Sequence, residues 1–127
     1  MIEWVPAEAV IDLHAELLGE HGGVSGLRDR GALESAVARP RQIHAYDSAA
    51  DLYVLAAAYA GGITQNHPFV DGNKRGAFVT LGIFLSLNDL YLDATEKESE
   101  QVVVSLSAGQ LTEAQLADWL RRNCAPL

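Results

Sequence analysis

The apolar residues of this chain recur three and four positions apart, and this spacing is typical of helices that bury one face. No stretch longer than a few residues alternates apolar and polar side chains as a half-buried strand would. Six segments open on residues typical of helix N-termini: Pro6, Asp29, Ser48, Asp71 or Gly72, Thr95 and Thr112. Thr95 and Thr112 are followed three positions later by Glu98 and Gln115, which is the pattern of a capping box. The sequence therefore predicts an all-α fold of about six helices.

Helix-breaking residues predict where these segments end. Gly22-Gly23 ends the first helix, and the second must stop before Pro40, because the residue preceding a proline disfavours the helical conformation. Gly61-Gly62 weakens the third helix near its end. The sequence leaves room for short extended pieces around Ile43–Tyr46 and Leu90–Leu92.

The fourth helix is apolar on nearly every side between Ala77 and Leu87. A helix of this kind is normally the buried, central one. The chain has 127 residues, the size of one ordinary domain, and contains no repeat, linker or low-complexity tract. We therefore expect a single domain, residues 1–127, built as a compact bundle around the fourth helix.

The charge balance excludes one broad class of function. The chain has 9 Lys and Arg against 17 Asp and Glu, for a net charge of −8. Nucleic-acid affinity comes largely from basic residues that neutralise phosphates, so we expect no direct nucleic-acid partner. The single cysteine, Cys124, permits no internal disulfide, and no segment resembles a signal peptide or a membrane span. We expect a soluble cytoplasmic protein.

The segment from His67 to Arg75 concentrates chemistry in nine residues. It leads into a helix N-terminus, whose unpaired N–H groups and positive dipole end bind anions such as phosphate. Gly72 has no side chain, so a ligand can approach the backbone there, and Lys74 and Arg75 bring two cations to the same end. Asp71 is a hard oxygen ligand suited to Mg²⁺, and His67 can take up a proton near neutral pH. The segment predicts a phosphate site with a base beside it.

Each of these residues also has a plainer interpretation. Asp71 could be only the helix N-cap, and Lys74 and Arg75 could pair with it on the surface for at most about 1 kcal/mol. His67 could be a solvated loop histidine. Phe69 is predicted to be a core anchor that fixes the loop.

The same segment resembles the signature of the Fic/Doc family. Many Fic-type members have His-Pro-Phe-x-(Asp/Glu)-Gly-Asn-Gly-Arg-x-x-Arg and transfer AMP from ATP to a protein hydroxyl. This chain has Lys74 in place of the second glycine and Phe78 in place of the second arginine. Both departures resemble the Doc (death-on-curing) branch, whose motif ends in Asn-Lys-Arg. Further similarity to that branch lies in the N-terminal region: Leu13-His14, His21-Gly22-Gly23, Gly26-Leu27-Arg28-Asp29 and Leu33-Glu34-Ser35-Ala36.

The resemblance implies a toxin of a toxin–antitoxin module that acts as a protein kinase. Such a protein transfers the γ-phosphate of ATP to a Thr or Ser hydroxyl of a translation factor, with elongation factor Tu as the known target. His67 would accept the hydroxyl proton and Asp71 would hold Mg²⁺. The phosphates would be positioned by four residues and the helix-end amides: Gly72, Asn73, Lys74 and Arg75. An apolar Phe78 cannot clamp a terminal phosphate, so the AMP-transfer pose loses a charge-assisted contact.

The resemblance also implies a protein partner. Many Fic-type proteins carry an inhibitory helix of the form (Ser/Thr)-x-x-x-Glu-(Gly/Asn), which this chain lacks. Inhibition is therefore expected in trans, from an antitoxin of the prevent-host-death type. Two alternatives stay open: transfer of AMP or another nucleotide, and a non-catalytic protein that binds an antitoxin. The remaining histidines, His14, His21 and His44, have no ligand spacing and are predicted to be structural.

Overall fold

Six helices and one two-stranded ribbon make up the computed structural model, which describes residues 1–127. The elements are α1 (Ala7–His21), α2 (Arg30–Tyr46), α3 (Leu52–Asn66), α4 (Asn73–Leu87), β1 (Leu90–Leu92), α5 (Glu96–Ser107), α6 (Glu113–Asn123) and β2 (Cys124–Pro126). β1 and β2 are antiparallel, with Tyr91 opposite Ala125. One cluster of 20 buried apolar residues runs from Val5 to Leu120. The predicted all-α bundle of six helices is confirmed, and none of its helices is long and apolar enough to cross a membrane.

Short side chains cap four of the six helices, three of them as the sequence predicts. Asp29 accepts a hydrogen bond from the Ala32 amide at 3.0 Å, and Thr112 and Gln115 form a reciprocal capping box. Thr95 also caps α5, but the Glu98 carboxylate accepts from the Thr95 hydroxyl and leaves the Thr95 amide unbonded to it. That pair is therefore only half of the predicted box.

Ser48 does not begin α3, contrary to prediction. Asp47 is followed by a turn in which the Ala49 amide donates to Asp47 Oδ1 at 3.0 Å, and this turn takes up Ser48. The N-cap is Asp51, which accepts from the Val54 amide at 2.9 Å. The carboxylate three positions after Ser48 is thus the cap itself.

The predicted stop before Pro40 is wrong, because α2 continues through the proline to Tyr46. A proline inside a helix costs about 3 kcal/mol. Here Pro40 lies on the buried face with Leu33 and Ala36, and α2 packs along α3, so tertiary packing offsets the cost. For the same reason Ile43–Tyr46 is helical, whereas the extended piece at Leu90–Leu92 is confirmed as β1.

The central helix is α3, and the expectation that it would be the fourth helix is wrong. Ten consecutive residues of α3, Leu55 to Thr64, are buried, and α3 packs against α2, α4, α5 and α6. Buried residues of α4 lie on one side only. Small residues let the neighbouring helices approach α3: a Cβ on Gly62 would lie 3.1 Å from Ala36 Cα. The glycines that weaken an isolated helix are therefore required by the packing of this one.

Candidate active site

The loop of residues 67–72 joins α3 to α4 and holds the motif. His67 ends α3 in the left-handed conformation, with φ 47° and ψ 57°, and its side chain is exposed. Phe69 is 2% exposed and belongs to the core, so its predicted role as an anchor is confirmed. Gly72 is also left-handed, with φ 74°, and is the N-cap of α4. The loop therefore turns an exposed histidine towards solvent and leads directly into the start of a core helix.

The N-terminus of α4 offers free hydrogen-bond donors. Gly72 has no side chain to cap the helix, and the backbone N–H groups of Asn73, Lys74 and Arg75 have no hydrogen-bond partner. The side chains of Lys74 and Arg75 are exposed and form no ion pair. The alternative in which they pair with Asp71 is therefore not what the structure shows. Three free amides, a positive dipole end and two unpaired cations suit an anion such as phosphate.

Asp71 is exposed and lies directly before the helix cap. Its Oδ1 accepts from the Gly72 amide at 2.8 Å and its Oδ2 from the Val24 amide at 3.3 Å. The alternative in which Asp71 is the N-cap of α4 is wrong, because Gly72 occupies that position. Each carboxylate oxygen keeps a lone pair that a cation can use. No group of three or more acidic, His or Cys side chains that could hold a metal ion includes Asp71, so a Mg²⁺ ion bound here would take its remaining ligands from substrate phosphates and water.

Asn73 holds the loop through its side chain. Its Oδ1 accepts from the Phe69 amide and its Nδ2 donates to the Phe69 carbonyl, both at 3.0 Å. The Asn73 carboxamide thus binds both the N–H and the C=O of Phe69, as a neighbouring residue in an antiparallel β-sheet does. The predicted contact of Asn73 with phosphate stays a prediction, and its free backbone N–H is the group best placed to make it.

The family of the chain follows from this loop together with comparisons to known proteins. The model of the Fic/DOC family matches residues 4–85, more than half of the chain and the whole of the loop. The chain belongs to the Fic/Doc family. It is 30% identical over 118 residues to the protein kinase doc of Escherichia phage P1, covering 93% of each chain. It is 40% identical over 74 residues to the toxin Doc of Mycolicibacterium smegmatis (strain ATCC 700084 / mc(2)155), covering 58% of this chain and 57% of the relative. The predicted Doc branch is confirmed.

His14, on the buried face of α1, contacts the Fic/Doc loop from the core side. The residue is 3% exposed, its ring stacks on Phe69 with centroids 3.6 Å apart, and its Nε2 lies 2.7 Å from the Asp71 carbonyl oxygen. A Cβ on Gly72 would lie 3.2 Å from the same nitrogen, so the ring also requires the glycine at the helix cap. The prediction that His14 is structural is confirmed, but no spacing in the sequence indicates that it would lie under the motif. The one sequence signal that could have connected His14 with the site is that Leu13-His14 belongs to the N-terminal region resembling the Doc branch.

Arg28 is a second residue that the sequence does not connect with the site. Its Nε donates to the His67 carbonyl at 2.6 Å, and its Nη2 donates to the Asn66 carbonyl at 2.8 Å. The Arg28 amide donates to the Pro68 carbonyl at 2.7 Å, and a backbone bridge pairs Leu27 with Phe69. The loop between α1 and α2 therefore packs along the motif loop.

A cleft of about 660 Å³ lies at the opposite end of α4. Its lining includes His44, Asp51, Leu87 and Asn88 and none of the motif residues. The candidate site of this Doc-branch chain is therefore located by the chemistry of the α4 N-terminus and not by cavity size.

Proposed function

We propose that this chain is a toxin of a toxin–antitoxin module and a protein kinase that transfers the γ-phosphate of ATP to a Thr or Ser hydroxyl of a translation factor, such as elongation factor Tu. The observation that carries the proposal is the N-terminus of α4, where three free amides and two unpaired cations lie beside an exposed histidine. The names of the relatives, a protein kinase and a toxin, support the same class.

Phosphoryl transfer depends mainly on positioning and on neutralising charge. The free amides of α4, with Lys74 and Arg75, would bind the phosphate oxygens. The target hydroxyl oxygen forms a bond to the γ-phosphorus as the bond to the β–γ bridging oxygen breaks, and ADP leaves. His67 would accept the hydroxyl proton, a role that an exposed imidazole at the loop can fill. Mg²⁺, with Asp71 as its protein ligand, would neutralise phosphate charge.

The choice of kinase over AMP transferase rests on two side chains. Phe78 is partly buried and packs against the core, so no cation lies one turn into α4 to clamp a terminal phosphate. Lys74 adds bulk and charge at the helix start, where a glycine would let the nucleotide phosphates lie along the backbone. Both features favour a nucleotide pose that presents the γ-phosphate to the target. Transfer of AMP is the second candidate.

The toxin proposal includes a protein partner and a place of action. We expect inhibition in trans by an antitoxin of the prevent-host-death type, because the chain contains no inhibitory-helix motif. Such an antitoxin segment would fold on binding, which suits a partner that is degraded easily when free. A translation factor as substrate places the expected action in the cytoplasm.

Labelled ATP distinguishes the candidates. The purified chain is incubated with elongation factor Tu, Mg²⁺ and ATP labelled at either the α or the γ phosphate. The proposal predicts that only the γ label enters the target, and that His67→Ala lowers the rate by about 10²–10⁴-fold. His21→Ala is the matched control, because His21 is exposed at the end of α1 and should leave the rate unchanged. Entry of the α label into the target would contradict the kinase proposal and indicate a nucleotidyl transferase. In a separate test, the chain is expressed in cells, and growth arrest that survives His67→Ala would favour the non-catalytic alternative.

A further inference from the structure

Arg28 contacts three successive carbonyl groups on both sides of the candidate base. Its Nη2 donates to Asn66 O at 2.8 Å, its Nε to His67 O at 2.6 Å and its backbone N–H to Pro68 O at 2.7 Å. No other side chain donates to these three oxygens. Together with the Asp29 amide, which donates to the same Pro68 oxygen at 3.1 Å, Arg28 therefore holds the chain path immediately before, at and after His67.

The backbone of His67 needs such support. A φ of 47° is uncommon for a residue with a side chain, and conformations of this kind persist where the surroundings over-determine them. The His67 amide donates to Ile63 O at 3.2 Å, so α3 holds one side of the residue and Arg28 holds the other. Since φ and ψ set the direction in which the side chain leaves the backbone, these contacts fix where the imidazole begins.

The guanidinium of Arg28 binds backbone carbonyl groups and forms no ion pair. The chain has 17 acidic residues, and Arg30, two positions later, pairs with Glu8 and Glu34. Arg28 has no carboxylate partner, although its side chain is exposed, and its donors go to neutral carbonyl groups at the end of α3. A plain helix C-cap would explain the contact with one of these carbonyls. The fork that spans the carbonyls of Asn66 and His67 points to control of the histidine itself.

We propose that Arg28 is a positioning residue that holds His67 in its left-handed conformation and so aims the imidazole at the target hydroxyl. This inference rests on the proposed function, because it takes His67 as the base. Arg28 acts through the His67 backbone and leaves the α4 phosphate site untouched. Its loss should therefore affect turnover and spare nucleotide binding.

Steady-state transfer of γ-labelled phosphate to elongation factor Tu tests this split between kcat and KM. Arg28→Ala is expected to lower kcat by about 10–100-fold, as a small misplacement of a catalytic group does, with KM for ATP within about twofold of the original chain. Arg28→Lys keeps a cationic donor and should recover part of the rate. Arg30→Ala is the matched control, since it removes a neighbouring arginine and its ion pairs without touching the loop, and its kcat should stay within about twofold.

Amide hydrogen exchange gives a second readout that does not require activity. Arg28→Ala should accelerate exchange of the His67 amide by about tenfold and leave the Gly76 amide, which donates to Gly72 O at 2.9 Å, unchanged. The proposal is overturned by an unchanged kcat or an unchanged His67 exchange rate in the folded variant, or by an equal loss of kcat in Arg30→Ala. If the original chain transfers no phosphate, the proposed function fails and the exchange rates still decide the role of Arg28. If Arg28→Ala does not fold, the same measurements on Arg28→Lys decide it.

Discussion

Replacing His14 measures how strongly α1 supports the motif loop. Two variants separate its contacts: His14→Ala removes the ring and its hydrogen bond, whereas His14→Gln keeps a donor that can reach the Asp71 carbonyl. The ring is 3% exposed and stacks on Phe69 at an interplanar angle of 9°. Because the ring is buried, solvent cannot replace these contacts when it is removed.

The expected loss of stability can be summed from these contacts. The hydrogen bond of 2.7 Å to the Asp71 carbonyl contributes about 1 kcal/mol. The stacked pair contributes about 0.5–1.5 kcal/mol, and the cavity left by a buried ring costs about 2 kcal/mol more. His14→Ala should therefore lower the free energy of unfolding by about 3–5 kcal/mol, a large part of the 5–15 kcal/mol typical of a domain. His14→Gln should lose about 1–2 kcal/mol.

Urea unfolding followed by circular dichroism measures both values. His21→Ala is the control on the same helix, because its exposed side chain should change the free energy of unfolding by less than about 0.5 kcal/mol. In the transfer assay, folded His14→Gln should keep most of its kcat, since Asp71 stays in place. A loss below about 1 kcal/mol for His14→Ala, or equal losses for the two variants, would refute this account of the loop.

Three further predictions concern other parts of the fold. Burial by itself would raise the pKa of the Asp51 carboxyl. The hydrogen bond and the positive charge of Arg121 lower this pKa by more than burial raises it, so the pKa lies below its ordinary value. That stabilisation is present above the unfolded pKa near 4 and is lost as the pH falls through the lower folded pKa. Asp51→Asn should therefore cost at most about 1 kcal/mol near pH 7, and urea unfolding should show this cost shrinking progressively as the pH falls below about 4. Gly62→Leu should destabilise by about 3 kcal/mol or more because α2 lies against that position, whereas Gly82→Ala, which meets open space, should stabilise by up to about 1 kcal/mol in thermal melts. Burial raises the pKa of the Cys124 thiol to about 11, so its reaction with a disulfide reagent near pH 8 should be about a hundredfold slower than that of free cysteine, and equal rates would contradict this.

The features that the sequence predicts correctly depend on neighbours within a few residues. Asp29 and Thr112 cap their helices by bonds to amides three positions on, and such contacts can be read from the sequence order alone. The motif likewise lies within nine residues, so its loop and helix start were predictable from local chemistry. Phe69, a large apolar side chain inside a polar loop, was correctly expected in the core for the same reason.

The features that the sequence did not predict depend on packing between distant segments. Pro40 is tolerated inside α2 because the face it lies on is buried against α3, which no local rule contains. The run from Ala77 to Leu87 has larger apolar side chains than α3, yet α3 is central because its alanines and glycines let four helices approach. His14 and Arg28 act on residues 57 and 39 positions away, at distances in sequence that carry no periodic signal.

Some positively charged side chains of this acidic chain stabilise the fold, whereas Lys74 and Arg75 lie unpaired at the candidate site. Arg30, Arg39 and Arg121 each pair with carboxylates and tie helices together. Lys74 and Arg75 have no such partner and lie at the positive end of α4, where cations are unfavourable by a few tenths of a kcal/mol or more. Folding therefore gains nothing from the charge of these two side chains. Under the proposed function, a ligand that brings negative charge to the helix end explains their position, because in a chain with a net charge of −8 this cation pair adds local attraction for phosphate to that of the free amides and the helix dipole.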